Sequence, residues 1–386
     1  MRLPQRLAPM ASALRRGRRL FFPLLTVLSM PMPMNAAWGP WVPAQQAPLR
    51  WEGRVLFQPD GAAVYDWSNV RLHLRFQGDA LAVYADLGQN YLDALVDGKR
   101  VAVLGRSPGV HDQAWAGLGL TPTGRGAAAA YVIGGLGGGR HDLVLSKRTG
   151  PNFGPVTLRG LRLAQGAALL PIPAAPARRL EFIGDSLTNG YGDEGTSLTC
   201  KELAPYENSS LSWARLVADD LGADLQALAY SGYGLVRNYG AAGPSSPDPV
   251  PFYYPRTVLA QPVVWDRHRF VPDLSVVFLG TNDYSTQPWP EDAPFVAAYR
   301  AFLAQVREGR RADYPIILAY PDNGSSLAAR VQAVVADETA QGYKVLGLGL
   351  PPAGEGQFGC DWHPLAVVHA HWAQLTEVII KKTLEW

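Results

Sequence analysis

The chain has little cysteine, no long apolar run and almost no net charge. Its 386 residues include only two cysteines, which are too few for a disulfide-scaffolded fold or a four-thiolate zinc site. The 35 Lys and Arg nearly balance the 33 Asp and Glu, whereas nucleic-acid-binding domains usually carry a clustered basic excess. No stretch approaches the roughly 20 apolar residues that cross a bilayer. The sequence therefore predicts a protein without stable membrane insertion and without a nucleic-acid partner.

The first 37 residues differ in composition from the rest of the chain. They contain six arginines, no Asp or Glu, and all five methionines. A basic region that ends at Arg19 precedes a short apolar run, 20–30, and small residues follow at Ala36 and Ala37. This order is typical of a secretory signal peptide, so we expect residues 1–37 to be removed and the protein to be secreted or periplasmic. Arg18 and Arg19 also fit a twin-arginine signal, although adjacent arginines are common in such regions.

Residues 38–168 contain short segments in which apolar and polar side chains alternate. A period of two is typical of strands that bury one face, and turn residues such as Asp97-Gly98 separate the segments. No long stretch has helical spacing, so an antiparallel β-sandwich is predicted. The clearest segments are Val70–Phe76, Leu81–Asp86, Leu92–Val96 and His141–Leu145.

A Pro- and Ala-rich segment, 169–178, is expected to link this domain to a second one at 179–386. There, apolar runs alternate with helical patterns, which predicts a three-layer α/β domain with five parallel strands. Ligands of such sheets bind beyond the carboxyl ends of the strands. The predicted strands are Leu180–Ile183, Leu225–Ala229, Leu274–Leu279, Ile316–Tyr320 and Lys344–Leu350, and the predicted helices are 209–221, 291–310 and 364–384.

Four groups suited to acyl transfer follow these predicted strands. Ser186 comes after the first strand, Gly232 after the second and Asn282 after the third, while His363 follows the fifth. A serine hydroxyl, N–H donors beside a glycine and from an asparagine, and an imidazole are the nucleophile, oxyanion donors and general base of that chemistry. The spacing therefore predicts an esterase-type site at this edge of the sheet.

Four sequence blocks resemble those of the SGNH (GDSL) hydrolases in order and spacing. They are Gly184-Asp185-Ser186, Ser231-Gly232, Gly280-Thr281-Asn282-Asp283 and Asp361-x-His363-Pro364. Longer matches are similar to the acetylesterases of carbohydrate esterase family 2, and they comprise 184–192, 231–240, Tyr254–Thr257 and 359–364. The resemblance covers about residues 51–386 and implies an N-terminal jelly-roll domain joined to a hydrolase domain.

The resemblance also implies roles for individual residues. Ser186 would be the nucleophile and His363 the general base, while Asn282 and the backbone N–H groups of Gly232 and Ser186 would hold the oxyanion. The implied activity is removal of acetyl groups from plant polysaccharides such as xylan or glucomannan, or from their oligosaccharides. No cofactor and no metal is implied.

The chain departs from the superfamily at the residue that orients the histidine. The superfamily usually carries an Asp three residues before the histidine, where this chain has Cys360, and Asp361 lies one residue later. Either the Asp361 carboxylate reaches Nδ1 of His363, or a backbone carbonyl orients the ring and the site is a Ser–His dyad. The sequence favours the carboxylate contact.

The two cysteines lie close in sequence to the predicted reactive groups. Cys200 follows the nucleophile segment, and Cys360 comes three residues before the histidine. In an exported protein we expect Cys200 and Cys360 to form a disulfide, which would tie two active-site loops together.

Aromatic residues flank the predicted catalytic blocks and suit stacking on sugar rings. They are Tyr191, Tyr233, Trp289 and Trp362, and we expect them to bind substrate. No long apolar lid is recognisable, which favours a short acyl group on a hydrophilic carrier.

Other patterns and functions were weighed against this interpretation. Gly105–Gly109 matches a G-x-S-x-G motif but lies in the β half, and His369 and His371 lack the companions of a metal site. One alternative function is a lipase or lysophospholipase of the same superfamily, and another is a non-catalytic carbohydrate-binding protein. We expect a monomer, and the sequence leaves open which sugar and which acetylated position are recognised.

Overall fold

The computed structural model describes residues 38–46, 48–105, 129–201 and 203–386. The predicted signal peptide, 1–37, and residues 106–109 of the G-x-S-x-G motif lie outside the described residues. The N-terminal domain contains the strands β1 (Trp38–Pro43), β2 (Arg50–Glu52), β3 (Leu56–Phe57), β4 (Ala63–Tyr65), β5 (Arg71–Gln77), β6 (Leu81–Asp86), β7 (Leu92–Val96), β8 (Lys99–Leu104), β9 (Ala129–Ile133), β10 (Arg140–Lys147), β11 (Val156–Ala164) and β12 (Ala168–Leu170).

The C-terminal domain alternates strands with helices. Its strands are β13 (Arg179–Gly184), β14 (Asp224–Ala229), β15 (Leu274–Phe278), β16 (Ile316–Pro321) and β17 (Val345–Leu350). Its helices are α1 (Ser186–Asn189), α2 (Trp213–Asp220), α3 (Val250–Tyr253), α4 (Thr281–Ser285), α5 (Asp292–Arg307), α6 (Ser326–Ala340) and α7 (Ala366–Leu384).

The N-terminal strands form two antiparallel sheets of six strands each. One has the order β3-β4-β11-β6-β9 with β1 also paired to β11, and the other has the order β12-β5-β10-β7-β8 with β2 paired to β5. In β5, Leu72, Leu74 and Phe76 alternate with more exposed side chains and are buried in the apolar core. The predicted antiparallel domain is thus confirmed, and its alternating strands bury one face as the period of two requires.

The last strand of the N-terminal domain, β12, includes the first two residues of the segment that is expected to be the linker. Leu169 and Leu170, which were assigned to the linker, belong to β12 and pair with Phe76 and Arg75 of β5. These two residues can extend the strand because their side chains continue the apolar pattern. Pro171, whose missing N–H cannot donate to the sheet, comes directly after them.

The C-terminal strands form the predicted parallel sheet of five strands, in the order β14-β13-β15-β16-β17. Its runs of buried side chains reflect a sheet covered on both faces. Helices α2 and α7 cover one face with a cluster that includes Trp213, Val217 and Trp372. Helices α5 and α6 cover the other face, where the buried residues include Phe295 and Val331. This arrangement is a three-layer α/β domain.

Buried ion pairs join the two domains. The carboxylate of Glu52, which is 4% exposed, accepts hydrogen bonds from Arg215 Nη1 at 2.5 Å and from the backbone N–H of Leu225 at 2.9 Å. Nearby, Arg50 Nη1 donates to Asp224 at 2.8 Å. Burial by itself would raise the pKa of Glu52, but Arg215 and the other partners hold that pKa well below its usual range. These contacts fix the N-terminal domain against α2 and β14.

Within the described residues, none of the helices has both the length and the apolar character that crossing a membrane would require.

Candidate active site

Three of the predicted site residues lie at the carboxyl ends of adjacent strands. Ser186 is the first residue of α1, just after β13, Gly232 lies in the turn after β14, and Asn282 lies in α4, after β15. Because β13 is hydrogen-bonded to both β14 and β15, the ends of these strands meet. This is the point at which the strand order reverses, where open α/β sheets form their binding crevice.

The fourth residue, His363, reaches the same point from beyond β17. It follows a short 3-10 helix, Cys360–Trp362, and an isolated bridge pairs Phe358 with Pro364. Its Nε2 lies 2.9 Å from the Oγ of Ser186, a hydrogen-bond distance. The structure therefore joins two residues that are 177 positions apart in sequence.

The backbone, rather than a carboxylate, orients the imidazole of His363. Its Nδ1 hydrogen-bonds to the carbonyl oxygen of Asp361 at 3.0 Å, where the sequence favoured the Asp361 carboxylate. That carboxylate accepts hydrogen bonds from Tyr191 OH at 2.9 Å and from Lys201 Nζ at 2.7 Å. Nδ1 of His363 therefore contacts the carbonyl of Asp361 instead of the expected carboxylate. The reason is the local backbone: Asp361 (φ 49°) and Trp362 (φ 63°) are both left-handed, which turns the carbonyl toward the ring.

The imidazole of His363 packs against an aromatic ring and is buried. The rings of Tyr191 and His363 lie 4.1 Å apart between centroids with an interplanar angle of 35°. Burial lowers the pKa of His363 below its ordinary value, although the hydrogen bond to the Asp361 carbonyl raises the pKa in part. The lowered pKa favours the neutral imidazole, which is the form able to accept a proton from Ser186.

Two backbone N–H groups near Ser186 are available for a ligand. Gly232 has φ +84°, a conformation that favours glycine, and its N–H lies in the turn that also carries the buried Ser231. Among the described residues, neither the N–H of Gly232 nor that of Ser186 donates a hydrogen bond. Two free donors beside a nucleophile can stabilise a developing oxyanion.

The third predicted donor, Asn282, is already engaged. Its Nδ2 donates to Asp185 Oδ2 and to the carbonyl oxygen of Tyr233, both at 3.0 Å. These bonds use both amide protons, so Asn282 can donate to an oxyanion only by releasing one of them. In this state Asn282 connects the nucleophile segment to the turn that carries Gly232.

Two buried carboxyl groups that the sequence analysis did not single out shape this region. Asp185 accepts a hydrogen bond from the N–H of Leu187, and burial raises the pKa of Asp185 to about 7. Asp283 accepts hydrogen bonds at 2.7–2.9 Å from three consecutive backbone N–H groups, those of residues 235–237. Both residues lie inside the quoted motifs, which was the available signal for their importance.

A disulfide bond joins Cys200 to Cys360. Cys360 is fully buried, and the N–H of Asp361 donates to the carbonyl of Cys200 at 3.0 Å. At Gly195, a Cβ atom would lie 2.4 Å from the backbone nitrogen of Cys360. The segment after the nucleophile thus packs directly against the turn that carries Asp361 and His363.

Of the four aromatic residues predicted to bind sugar, Trp362 is the most exposed. Its exposed fraction is 64%, and its ring lies 5.9 Å from that of Phe358. Trp362 lines a groove of about 620 Å³ on the disulfide side of the site. The other lining residues are Gly195, Thr196, Ser197, Leu198, Thr199, Glu355, Gly356, Phe358 and Leu365.

The other three aromatic residues make contacts within the protein. Tyr191 stacks on His363, and Tyr233 stacks on Tyr230 with 3.6 Å between ring centroids. Trp289 is 49% exposed and lies 6.3 Å from Tyr284. Tyr191 and Tyr233 therefore pack inside the site, whereas the ring of Trp289 is partly open to solvent.

Across the described ranges, no group of His, Cys, Asp and Glu side chains has the arrangement of a metal site. His369 is fully buried, accepts a long hydrogen bond of 3.4 Å from the N–H of Trp213 and packs edge-on against Trp372. Burial lowers the pKa of His369 to about 3, so it is a neutral core residue.

Two protein families match the chain, one for each domain. Residues 51–173 match the carbohydrate esterase 2 N-terminal family, and residues 182–365 match the GDSL-like lipase/acylhydrolase family. The first match ends just after β12 and the second begins within β13, where the antiparallel sheets give way to the parallel one.

Individual relatives span both domains. The chain is 31% identical to the solved structure of a family two carbohydrate esterase from Clostridium thermocellum in complex with cellohexaose, with a TM-score of 0.77 over 88% of this chain and 99% of that one. It is 33% identical over 352 residues to the cellulase/esterase CelE of Acetivibrio thermocellus, of which it spans 40% of the length. It is 29% identical to an acetylxylan esterase / glucomannan deacetylase of Cellvibrio japonicus, over 83% of this chain and 86% of that protein.

Proposed function

Because the chain belongs to carbohydrate esterase family 2, we propose that it is a serine esterase that removes O-acetyl groups from polysaccharides such as xylan and glucomannan, or from their oligosaccharides. The observation that carries this proposal is the 2.9 Å contact between Ser186 Oγ and His363 Nε2, near the N–H groups of Ser186 and Gly232, which donate no hydrogen bond within the described residues. A paired hydroxyl and imidazole with adjacent N–H donors are the components of acyl transfer.

In the proposed first step, Ser186 Oγ attacks the acetyl carbonyl carbon while His363 Nε2 takes the hydroxyl proton. The carbonyl oxygen becomes an oxyanion that accepts hydrogen bonds from the N–H groups of Ser186 and Gly232, with Asn282 as a third proposed donor. His363 then gives its proton to the departing sugar oxygen, and the acetyl group stays on Ser186. The hydrogen bond from Nδ1 to the Asp361 carbonyl supports this role because it keeps Nε2 directed at Ser186.

In the second step, water attacks the acetyl-enzyme and His363 accepts the water proton. The same N–H groups hold the second oxyanion, and His363 returns the proton to Ser186 Oγ as acetate leaves. Tyr191 is proposed to steady the imidazole in both steps, because its ring stacks on His363 and its hydroxyl holds the Asp361 carboxylate.

The substrate proposal is supported by the relatives' names and by exposed aromatic surface. One relative is named an acetylxylan esterase / glucomannan deacetylase, and one family two structure contains cellohexaose. We propose that the exposed ring of Trp362 stacks on a sugar next to the acetylated one, and that Trp289 offers a second stacking surface. Tyr191 and Tyr233 would line the part of the site that holds the acetyl group.

The experiment that tests this function is acetate release from acetylated xylan and acetylated glucomannan, followed by NMR. We expect both polymers to lose acetate and a series of p-nitrophenyl esters to be turned over faster as acetate than as octanoate. Faster turnover of octanoate would contradict the carbohydrate assignment and support the lipase alternative.

The matched control for acetate release is the Ser186→Ala variant. Acetate release by this variant at the wild-type rate would show that Ser186 is not the nucleophile. Glycan binding by a wild-type protein that releases no acetate would instead support the alternative of a non-catalytic carbohydrate-binding protein.

The pH dependence follows from the lowered pKa of His363. The free enzyme needs a neutral imidazole, so kcat/KM should fall as the pH drops through that pKa. Because burial lowers the pKa of His363 from 6.5, we expect the acidic limb of the kcat/KM profile to have its midpoint below pH 6.5. A p-nitrophenyl acetate assay between pH 4 and pH 8, about the range in which histidine titrates, measures it. A midpoint above 6.5 would mean that the imidazole is stabilised as a cation.

We also propose the remaining features of the mature protein. Residues 1–37 serve as an export signal, which places the enzyme in the periplasm or outside the cell. The N-terminal domain, expected at residues 38–168 and continued by β12 to Leu170, forms a jelly roll, a proposal supported by its two antiparallel sheets. A short linker leads to the hydrolase domain at 179–386, and the protein acts as a monomer without a cofactor.

A further inference from the structure

We propose that the N-terminal domain positions the oxyanion donor of the C-terminal domain, and that Asn152 is the residue through which it does so. This inference rests on the proposed esterase function. Asn152 lies in the short 3-10 helix Pro151–Phe153 between β10 and β11, far in sequence from the motifs that carry the chemistry.

The contact that supports this proposal is made to the peptide unit that contains the oxyanion donor. Asn152 Nδ2 donates a hydrogen bond of 3.0 Å to the carbonyl oxygen of Ser231. That carbonyl and the N–H of Gly232 belong to the same planar peptide unit, so a group that holds one of them orients the other. A hydrogen bond to the carbonyl also polarises the peptide and makes its N–H a stronger donor.

The loop that presents Asn152 is fixed from behind by Asn90, which is fully buried. Asn90 Nδ2 donates to the carbonyls of Phe153 and Gly154, both at 3.1 Å, and Asn90 Oδ1 accepts from Thr149 Oγ1 at 2.7 Å. Although Asn152 itself is exposed, its backbone is therefore held on both sides.

A second series of hydrogen bonds connects the N-terminal domain to Ser231. Ser68 Oγ donates to Asn189 Oδ1 at 2.7 Å, and Asn189 Nδ2 donates to Ser231 Oγ at 3.0 Å. All three side chains are buried. The domains approach closely here, since a Cβ atom on Gly150 would lie 2.7 Å from Asn189 Nδ2. Ser231 is thus held through both its side chain and its carbonyl.

The turn at Gly232 needs such external support. Backbone hydrogen bonds from Tyr233 N–H to the Tyr230 carbonyl at 3.1 Å and from Tyr239 N–H to the Gly232 carbonyl at 2.8 Å hold this turn. Neither bond involves the peptide unit between Ser231 and Gly232, and Gly232 itself has φ +84°. Glycine also loses more conformational freedom on ordering than any other residue. Removing the Asn152 hydrogen bond should therefore leave the donor in place but less well aimed.

The test compares Asn152→Ala and Asn152→Asp in the full chain with Gln46→Ala, an exposed amide side chain of the same domain. Asn152→Asp keeps the shape and removes the donor. We expect kcat for p-nitrophenyl acetate to fall about five- to tenfold in Asn152→Ala, and further in Asn152→Asp, with KM unchanged. Acetylated xylan should show the same factors, and Gln46→Ala should match the wild type.

Each other outcome overturns the proposal. Wild-type kcat in both Asn152 variants would show that the contact does not affect the donor. A rise in KM for xylan with unchanged kinetics for p-nitrophenyl acetate would show that Asn152 binds the sugar directly. Equal losses in Gln46→Ala would indicate a general effect of altering the domain.

The same experiment separates this inference from the proposed function. If the wild type turns over p-nitrophenyl acetate but deacetylates no polysaccharide, the carbohydrate assignment fails while the positioning role of Asn152 is still measured. If the wild type hydrolyses neither substrate, both proposals are wrong.

Discussion

Replacing His363 with alanine should lower kcat for p-nitrophenyl acetate by roughly 10⁵–10⁶, because serine hydrolases lose about that factor when the base is removed. His363 Nε2 lies 2.9 Å from the Ser186 hydroxyl and is the only base proposed for both acyl transfer steps. Residual activity should come from the oxyanion donors and from substrate binding. Single-turnover kinetics of the purified variant, with an unchanged circular dichroism spectrum as the folding control, measures the loss.

Asp361→Asn supplies the contrast that identifies the site as a dyad. The His363 ring is oriented by the Asp361 carbonyl, which the substitution keeps, so kcat should fall less than about tenfold. In serine proteases, the corresponding change at an Asp whose carboxylate holds the imidazole costs about 10⁴. A loss of that size in Asp361→Asn would mean that the carboxylate, and not the carbonyl, sets the ring.

Asparagine is the informative substitution at Asp361 because of the backbone. Asp361 has φ 49° and ψ 38°, and Asn tolerates this left-handed conformation better than other side chains do. Asp361→Ala removes the same carboxylate but adds backbone strain of about 1–2 kcal/mol. A larger loss in Asp361→Ala than in Asp361→Asn would therefore report on the turn, whose geometry aims the carbonyl.

Removing the disulfide should cost the protein more stability than any other single feature considered. The bond closes a loop with a sequence separation of 160 residues, for which the chain-entropy model gives up to about 5 kcal/mol. We expect the Cys200→Ser/Cys360→Ser double variant to unfold at a lower denaturant concentration and with a larger m-value, because the unfolded chain without the bond is less compact and exposes more surface. Its kcat should fall as well, because Cys360 immediately precedes the turn that holds His363.

The control for the double variant is the wild type treated with a reductant. It should titrate two thiols after treatment and none before, and it should approach the stability of the double variant. Equal midpoints of the oxidised wild type and the double variant would contradict a stabilising role for the bond.

Much of the fold could be predicted because local sequence and tertiary structure agree. The alternating segments at Leu81–Asp86 and Leu92–Val96 match β6 and β7, and the buried run at Leu225–Ala229 differs from β14 by one residue. Helix α6 was not recognised. The buried face of this helix ends on a charged residue, Glu338, which is 2% exposed and pairs with Arg300 and Arg307, so the last position of its apolar pattern is missing.

The residues of the candidate site could be predicted in part because each of them lies in a short motif after a strand. Ser186, Gly232, Asn282 and His363 could be named from spacing, since parallel strands bring their carboxyl ends together. The hydrogen-bond partner of His363 Nδ1 could not be predicted in this way, because it depends on two consecutive residues with left-handed backbone conformations. Nor could the contact of Asn152, which arises from the docking of one domain on the other and leaves no local pattern in the sequence.

The two ion pairs that join the domains, Glu52–Arg215 and Arg50–Asp224, decide whether one domain can be exchanged for that of another protein. Removing one partner of a buried ion pair typically costs about 3–5 kcal/mol, because the other charge is left without compensation. A chimaera that exchanges the N-terminal domain for a foreign β-domain would remove Glu52 and leave Arg215, which is 2% exposed, with Asp219 of its own helix as its remaining acidic partner. The two domains are therefore a single unit for engineering, and a transplanted N-terminal domain must bring its own acidic counterpart at the position of Glu52.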